Sequence, residues 1–419
     1  MTLSGTSSVV AIDIGSTRVS VIIARIQDQH TLDVIGMSHV THTSMKKGKV
    51  TDLGLLTDAI KQAVAEAEEI ARCRVHQAWV SIPSDELYCT VDDATIAISS
   101  PTISTSDMVA VRDIAKNKSS KPNYYVTNAI PLAYYLDGST DAVLDPVGMV
   151  ANELQAYYHF IMMPVNTMQN IRQALKNANI QVSQIVVAPL ATATSCLLDD
   201  EKREGVCLLD IGADMTNLLV YLDEKLILVH HLAVGGELVT QDIQQTFQVS
   251  YEEANKLKLK YGTLDQKNVK PEKMIKLKQL NGEYKTISHA DLVEVIVARY
   301  RYILRQAYRA LHHNHVGILP RGVVLTGGAS TIEHIVAVAK EELHQAIHLA
   351  NRHEHVVHRE PAQQALLATP DYQTAVGLAV FSQTDTTSTE EPISEVPQDF
   401  WSKMARLWHK FVQAFKKLM

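Results

Sequence analysis

Two widely separated segments of this chain repeat one another. Val9–Ile23 reads VVAIDIGSTRVSVII and Val206–Val220 reads VCLLDIGADMTNLLV. Each is an apolar run ending in Asp-Ile-Gly, then a short polar turn, then a second β-branched or apolar run, which is the pattern of a strand–turn–strand hairpin. Asp13 falls in register with Asp210 and Gly15 with Gly212. A chain of two similar halves is expected to form two lobes with a cleft between them, and ligands favour such clefts.

The rest of the sequence narrows what a ligand could be. At 419 residues, 46% hydrophobic and 20% charged, the chain can bury the cores of two or three domains, which excludes a disordered, collagenous or cysteine-stapled protein. The net charge of −7 argues against nucleic acid as the main partner, since a phosphate-binding surface needs excess Lys and Arg. Cys73, Cys89, Cys196 and Cys207 make no CxxC pair, so reduced thiols in a cytosolic protein are expected. The segment MTLSGTSSVVAIDIG lacks a basic start and meets Asp13 before an apolar region forms, so no signal peptide is expected. No window approaches eighteen consecutive apolar residues, so nothing is expected to span a bilayer. His344 and His348 lie at helical spacing near His353, His355 and His358, but no Cys or well-placed carboxylate completes a zinc set, and they read as surface histidines.

Periodicity predicts helices over 55–72, 106–116, 167–178, 237–246, 250–261, 291–312 and 371–381, and strands over 75–82, 90–98, 152–163 and 321–325. Residues 84–162 read as an inserted α+β module, and the polar run 268–287 reads as strands. The strand 321–325 enters Thr326-Gly327-Gly328-Ala329-Ser330, with a helix expected from that turn through about 346. Residues 382–399 hold five acids, no base, two prolines and many Ser/Thr, the composition of a disordered linker with a reach of about 23 Å.

The hairpin turns suit phosphate. Glycine accepts positive φ cheaply and lets backbone N–H groups approach an oxyanion, so Gly15 and Gly212 can cradle one, with Ser16 and Thr17 adding hydroxyl donors. Asp13 and Asp210, at the strand ends, could orient the waters of a Mg²⁺ ion from opposite sides. One such hairpin is commonplace as plain structure. Two copies plus a glycine turn that follows a buried strand, where backbone can pass close to a base or ribose, point to a nucleotide.

The order of hairpin, hairpin and Gly-Gly turn resembles the phosphate-1, phosphate-2 and adenosine motifs of the actin/Hsp70/sugar-kinase superfamily. More narrowly, the chain resembles the FtsA family of bacterial actin-like cell-division proteins, through NAIPLAYYLDG (128–138), PVGM (146–149), GGELVTQD (235–242), EEANKLKLKYG (252–262), VVLTGGAS (323–330) and TAVGL (374–378). The resemblance covers essentially the whole chain. It implies an α/β, actin-like two-lobed ATPase fold with an inserted α+β subdomain. Subdomain 1A would comprise 1–83, 163–192 and 364–381, and subdomain 1C would be 84–162. Subdomain 2A would comprise 193–235 and 301–363, and subdomain 2B would be 236–300. A linker (382–399) and a terminal helix (400–419) would follow.

By the same resemblance, ATP with Mg²⁺ would be held by Asp13, Gly15, Ser16, Thr17 and Arg18 opposite Asp210, Gly212 and Ala213. Asn255 and Lys258 would face ribose and adenine, and Gly327, Gly328 and Ala329 would back the adenosine. Three departures stand out. Arg18 replaces the family's usual Lys, keeping charge but changing reach and fork geometry. The second hairpin reads Gly-Ala-Asp-Met-Thr-Asn rather than a glycine-rich Gly-Gly-Gly-Thr-x-Asp, so the loop is stiffer, and Asp214 should repel phosphate. Asn255 replaces the usual Glu. Binding stays credible, while hydrolysis is at most weak and no water-orienting base stands out.

The last twenty residues concentrate the aromatics. On a helix, Phe400, Trp401, Met404, Leu407, Trp408, Phe411 and Phe415 fall with Val412, Leu418 and Met419 within an arc of roughly 140°. Lys403, Arg406 and Lys410, with Lys416 and Lys417, lie on the other side, and the segment holds no acid. A bulky apolar face beside a basic face, tethered by a linker, is the pattern of an interfacial helix on an anionic membrane surface. Docking on the chain's own body or in a partner's groove is the competing reading.

The resemblance further implies a filament of the protein with itself at the cytoplasmic face of the bacterial inner membrane, at the division site. There it would bind the C-terminal tail of FtsZ through Arg299, Tyr300 and Arg301, or those residues are simply a solvated basic helix face. The inserted module would meet neighbouring subunits and later divisome membrane proteins. Two other functions compete: another actin-like adaptor of a membrane machine, such as a pilus-assembly protein, and a small-molecule kinase of the same superfamily. The first would lack the amphipathic terminus, and the second would need an acidic base motif that the sequence does not display.

Overall fold

The computed structural model describes residues 8–27, 31–83, 86–270, 272–350 and 356–384, so the expected linker beyond 384 and the terminal amphipathic segment lie outside the described residues. The chain divides into two compact units, with Glu86–Ile171 forming the second.

The first unit begins with strands β1 (Ser8–Ile14), β2 (Arg18–Ile26) and β3 (Leu32–Thr41), an antiparallel meander. Strands β4 (Met45–Lys46) and β5 (Lys49–Val50) close a hairpin over Lys47 and Gly48, both at positive φ (50° and 72°), as a two-residue primed turn requires. Helix α1 (Leu53–Ala71) starts where the Asp52 carboxylate accepts the Leu55 N–H, and it buries the stripe Leu56, Ile60, Ala63, Val64 and Ala67. Strand β6 (Gln77–Ile82) then runs parallel to β1.

The second unit has its own core. Strands β7 (Tyr88–Ala97), β8 (Tyr124–Leu136) and β9 (Glu153–Pro164) form an antiparallel sheet of order β7-β9-β8. Helix α2 (Thr105–Lys118), opened by a Ser104–Asp107 capping box, sets Val111 and Ala115 against Leu154, Ala156, Tyr158, Phe160 and Met162, the alternate residues of β9. Periodicity did not single out β8, because its register shifts at 126/128 and 131/133 and Pro131 interrupts the alternation; Pro is tolerated there because β8 is an edge strand. Helix α3 (Val165–Asn177) leads back toward the first unit.

There the chain continues through β10 (Gln181–Val187), α4 (Ala188–Cys196) and α5 (Asp199–Glu204) into a second meander, β11 (Val206–Ile211), β12 (Thr216–Leu222) and β13 (Lys225–Leu232). Helices α6 (Gly236–Phe247) and α7 (Tyr251–Tyr261), the hairpin β14 (Met274–Lys278) and β15 (Tyr284–Ser288), and the long α8 (His289–His313) follow. Then come β16 (Val323–Thr326), α9 (Ile335–Leu343), β17 (Ile347–Leu349), β18 (Val356–Val357), α10 (Pro361–Leu367) and α11 (Pro370–Thr384).

The hairpin repeat extends to five strands. The first sheet has the order β10-β6-β1-β2-β3-β18 and the second β13-β12-β11-β16-β17. In both, the Asp-Ile-Gly strand pairs antiparallel into a meander on one side and parallel with a later strand on the other. The two sheets are joined by an intimate crossing of α4 and α11, where a Cβ on Gly377 would overlap the Ala191 carbonyl and the Thr192 and Thr374 hydroxyls bond at 2.9 Å.

Two expectations are corrected. The turn after β16 opens a single 3-10 turn (Gly328–Thr331) rather than a long helix; α9 starts only at Ile335 and stops at Leu343, where His344 turns left-handed. Residues 382–384, expected in the linker, belong to α11. Among the described residues no helix is long and apolar enough to cross a membrane and no metal-ligating cluster occurs. Burial pushes the thiols of Cys89, Cys196 and Cys207 up to about 12, and raises that of Cys73 as well.

Candidate functional site

The strand register places the paired residues at matching points. Asp13 lies beside Ser20 of β2 and Ser81 of β6; Asp210 lies beside Asn217 of β12 and Thr326 of β16. The Ser81 hydroxyl donates to Asp13 Oδ1 at 2.6 Å, and the Asn217 side chain hydrogen-bonds Asp210. Burial nevertheless dominates. It raises Asp13 to about 6 against the pull of Ser81 and Arg18, and raises Asp210 to about 6 with the Asp13 charge adding to the rise. The two strand-end carboxylates therefore sense each other.

The turns match as well. Gly15 N–H donates to the Arg18 carbonyl at 2.8 Å, and Gly212 N–H to the Met215 carbonyl at 2.9 Å. Neither glycine takes positive φ, contrary to the sequence argument; what each needs is room, since a Cβ would come within 3.1 Å of the same carbonyl. Gly327 is the glycine whose backbone conformation matters, at φ 87°, with a Cβ there overlapping Asp210 Oδ1. Gly328 faces open space, and Ala329 is half-buried.

Around the second hairpin the remaining motifs converge. The carbonyls of Gly212 and Ala213 accept the N–H groups of Gly236 and Glu237, tying the turn to the start of α6. Lys258 Nζ reaches the Gly236 carbonyl at 3.3 Å and the Thr240 hydroxyl at 2.7 Å, and burial lowers its pKa. Asn255 sits one turn earlier on α7, half-buried. Ser16 is half-buried and Thr17 exposed, with the Thr17 carbonyl accepting the His42 N–H at 2.9 Å.

Five side chains have partners that the sequence did not anticipate. Tyr300 is 3% exposed and belongs to the core stripe Ile296, Tyr300, Ile303, Leu304 of α8, its hydroxyl donating to the Ala329 carbonyl at 2.8 Å; it cannot present a ring to a partner. The exposed aromatics on that helix are Tyr302, under the Arg299 guanidinium, and Tyr308. Arg299 forms a two-pronged pair with Asp242 (2.5 and 2.7 Å), and Arg301 pairs with Glu341 at 2.7 Å and with Glu342. Arg18 is committed to Asp371 of α11 at 2.5 Å, so any phosphate must share it. Asp214 is half-buried, its Oδ2 accepting the Lys47 backbone N–H at 2.7 Å.

The sequence reading missed His42, Ser81 and Asp371, and read Asn217 only as a stiffening residue of its loop. His42 Nδ1 lies 2.9 Å from the Ser44 hydroxyl, and its ring is partly buried against the backbone of Gly15 and Arg18 in the first hairpin, burial lowering its pKa. Ser81 and Asp371 carry no signal in one dimension, because pairing across 68 and 353 residues sets their roles. A cavity of about 670 Å³ lies at the opposite ends of β1 and β6, lined by Cys73, Arg74, His76 and Trp79 among others, and another of about 480 Å³ lies between β13 and α8. Neither is lined by a carboxylate or a glycine turn, so neither coincides with the duplicated hairpins.

Residues 207–377 match the family model described as cell division protein FtsA, and residues 85–162 match the SHS2 domain inserted in that protein. A curated cell division protein FtsA of Enterococcus hirae is 30% identical over 342 residues, covering 81% of this chain and 77% of the relative. Among solved structures, a chain of the PilM–PilN type IV pilus biogenesis complex superposes with a TM-score of 0.65 at 18% identity, covering 90% of this chain and 98% of that one. MreB5 of Spiroplasma citri, bound to AMPPNP, superposes with a TM-score of 0.52 at 12% identity, covering 91% and 97%. These likenesses show an actin-like fold, with the SHS2 module as its insertion, and the sequence relatives go further: the chain belongs to the cell division protein FtsA family.

Proposed function

We propose that the duplicated hairpins bind ATP with Mg²⁺, and that the protein assembles with itself on the cytoplasmic face of the inner membrane at the division site. The observation that carries the nucleotide reading is the pair Asp13 and Asp210, at matching points of the two hairpins, electrostatically coupled and both raised to about 6 by burial. Two carboxylates that ionise reluctantly beside glycine turns are a donor set that a hydrated divalent cation satisfies. Asp13 and Asp210 would hold the ion through water, and the ion would neutralise charge on the phosphates. Gly15–Arg18 and Gly212–Ala213 would position the phosphates; Asn255, Lys258 and Gly327–Ala329 would take the nucleoside. Turnover is expected to be weak at most. Asp210→Ala should weaken Mg-ATP binding at least tenfold by calorimetry; unchanged affinity would refute the site.

Residues 400–419 would lie on anionic lipid, with Phe400, Trp401, Met404, Leu407, Trp408, Phe411 and Phe415 inserted and Lys403, Arg406 and Lys410 toward headgroups. Phosphatidylglycerol liposomes should pellet the intact chain but not one ending at Asp399. FtsZ would dock through its C-terminal tail on the α8 face carrying Arg299 and Arg301, with Tyr302 as the accessible ring in place of Tyr300. The inserted module would meet neighbouring subunits and later divisome proteins.

A further inference from the structure

The hairpin β4–β5 reads Met45-Lys46-Lys47-Gly48-Lys49-Val50, and its three lysines are exposed. It follows the first meander, yet its tip is fastened to the turn of the second. The Lys47 backbone N–H donates to Asp214 Oδ2 at 2.7 Å across 167 residues of sequence. Asp214 stands in the turn between β11 and β12, directly after Ala213, at the position where its charge would oppose phosphate. Its carboxylate is not alone: Glu237 lies at the same turn, its own N–H bound to the Ala213 carbonyl, and Tyr251 feels both acids. Two acids beside a phosphate loop are unfavourable for an anion unless cations stand over them.

We propose that the Lys46–Lys49 hairpin is a strap over the phosphate end of the cleft, that Asp214 is the positioning residue that seats it, and that its lysines contact the terminal phosphate of a nucleoside triphosphate. The strap explains why an acid occupies this turn. Asp214 contributes a fixed acceptor for a backbone N–H at the tip of a hairpin that carries three exposed lysines. A lysine ammonium is a compact, mobile charge suited to following a phosphate rather than gripping it in one geometry. Charges added at this strap should count most for the phosphate that ATP has and ADP lacks, so the lysines should favour ATP over ADP. This inference rests on the cleft being the nucleotide site, but the strap itself can be read without nucleotide.

The test uses the full chain and three variants. Hydrogen–deuterium exchange at the Lys47 amide reads the strap: Asp214→Ala should speed exchange at least tenfold, whereas Asp214→Asn, which keeps an acceptor oxygen, should leave it within threefold of wild type. Calorimetric titration with Mg-ATP and Mg-ADP reads the ligand. Combined Lys46→Gln, Lys47→Gln and Lys49→Gln should weaken ATP about tenfold and ADP less than threefold, and Asp214→Ala should erode the same preference. Thermal melting checks that each variant is folded. Equal effects on ATP and ADP, or no effect, would overturn the lysine role; unchanged Lys47 exchange in Asp214→Ala would overturn the strap. A wild-type chain that binds neither nucleotide would count against the cleft assignment and the lysine role together, while the exchange result would still decide the strap.

Discussion

At the scale of single residues, the site is a pair of carboxylates in the wrong solvent. Asp13 and Asp210 ionise near 6 in the folded chain against an ordinary 3.8, so between those values the folded state holds more protons than the unfolded one. The sign follows: their contribution to the stability of the nucleotide-free protein is most favourable below about pH 4 and is lost as pH rises through about 6. Asp13→Asn should therefore stabilise the nucleotide-free chain at pH 7 by about 3 kcal/mol, with the gain vanishing below about pH 4. Paired thermal melts of the two proteins across that range check this; a gain independent of pH would contradict it. These carboxylates were legible in the sequence because strand, Asp and Gly recur in fixed order. Their supports were not: Ser81 meets Asp13 only through parallel strand pairing, and Arg18 meets Asp371 only after α11 packs on β1 and β2.

Elements carry the next layer of information. Periodicity located the long helices because each has one apolar stripe, as α8 does through Leu292, Ile296, Ile303 and Ala307. The same stripe runs through Tyr300, so the period that found the helix also assigns that ring to the core; reading 299–301 as one basic patch overlooked it. Strand β8 escaped notice for the opposite reason, since its bulges break the alternation that marks a strand. The crossing of α4 and α11 was visible only as a glycine in TAVGL. Gly377→Ala would drive a methyl into the Ala191 backbone and should cost about 3 kcal/mol, or unfold the chain. Chemical denaturation measures it, and an unchanged midpoint would mean that the two helices can part without cost.

The whole molecule is a duplicated five-strand sheet with an independently cored insertion, and the sequence displayed the duplication only where the hairpins kept their motif. The outer strands of each sheet diverged in sequence while their order was kept. Because Glu86–Ile171 has a core of its own, Phe160→Ala, at a side chain with no exposed surface, should remove about 3–5 kcal/mol from that unit. Calorimetry should then show the insertion melting ahead of the rest, with the transition of the body unmoved; one shared transition shifting as a whole would contradict separate cores. Burial of the native thiols has a practical corollary. With Cys89, Cys196 and Cys207 at about 12 and Cys73 raised, the described chain offers alkylating reagents scarcely any thiolate at neutral pH. A cysteine introduced at an exposed position such as Leu259 would take a maleimide dye selectively, so the protein can be tracked by fluorescence with its native sulfur left in place.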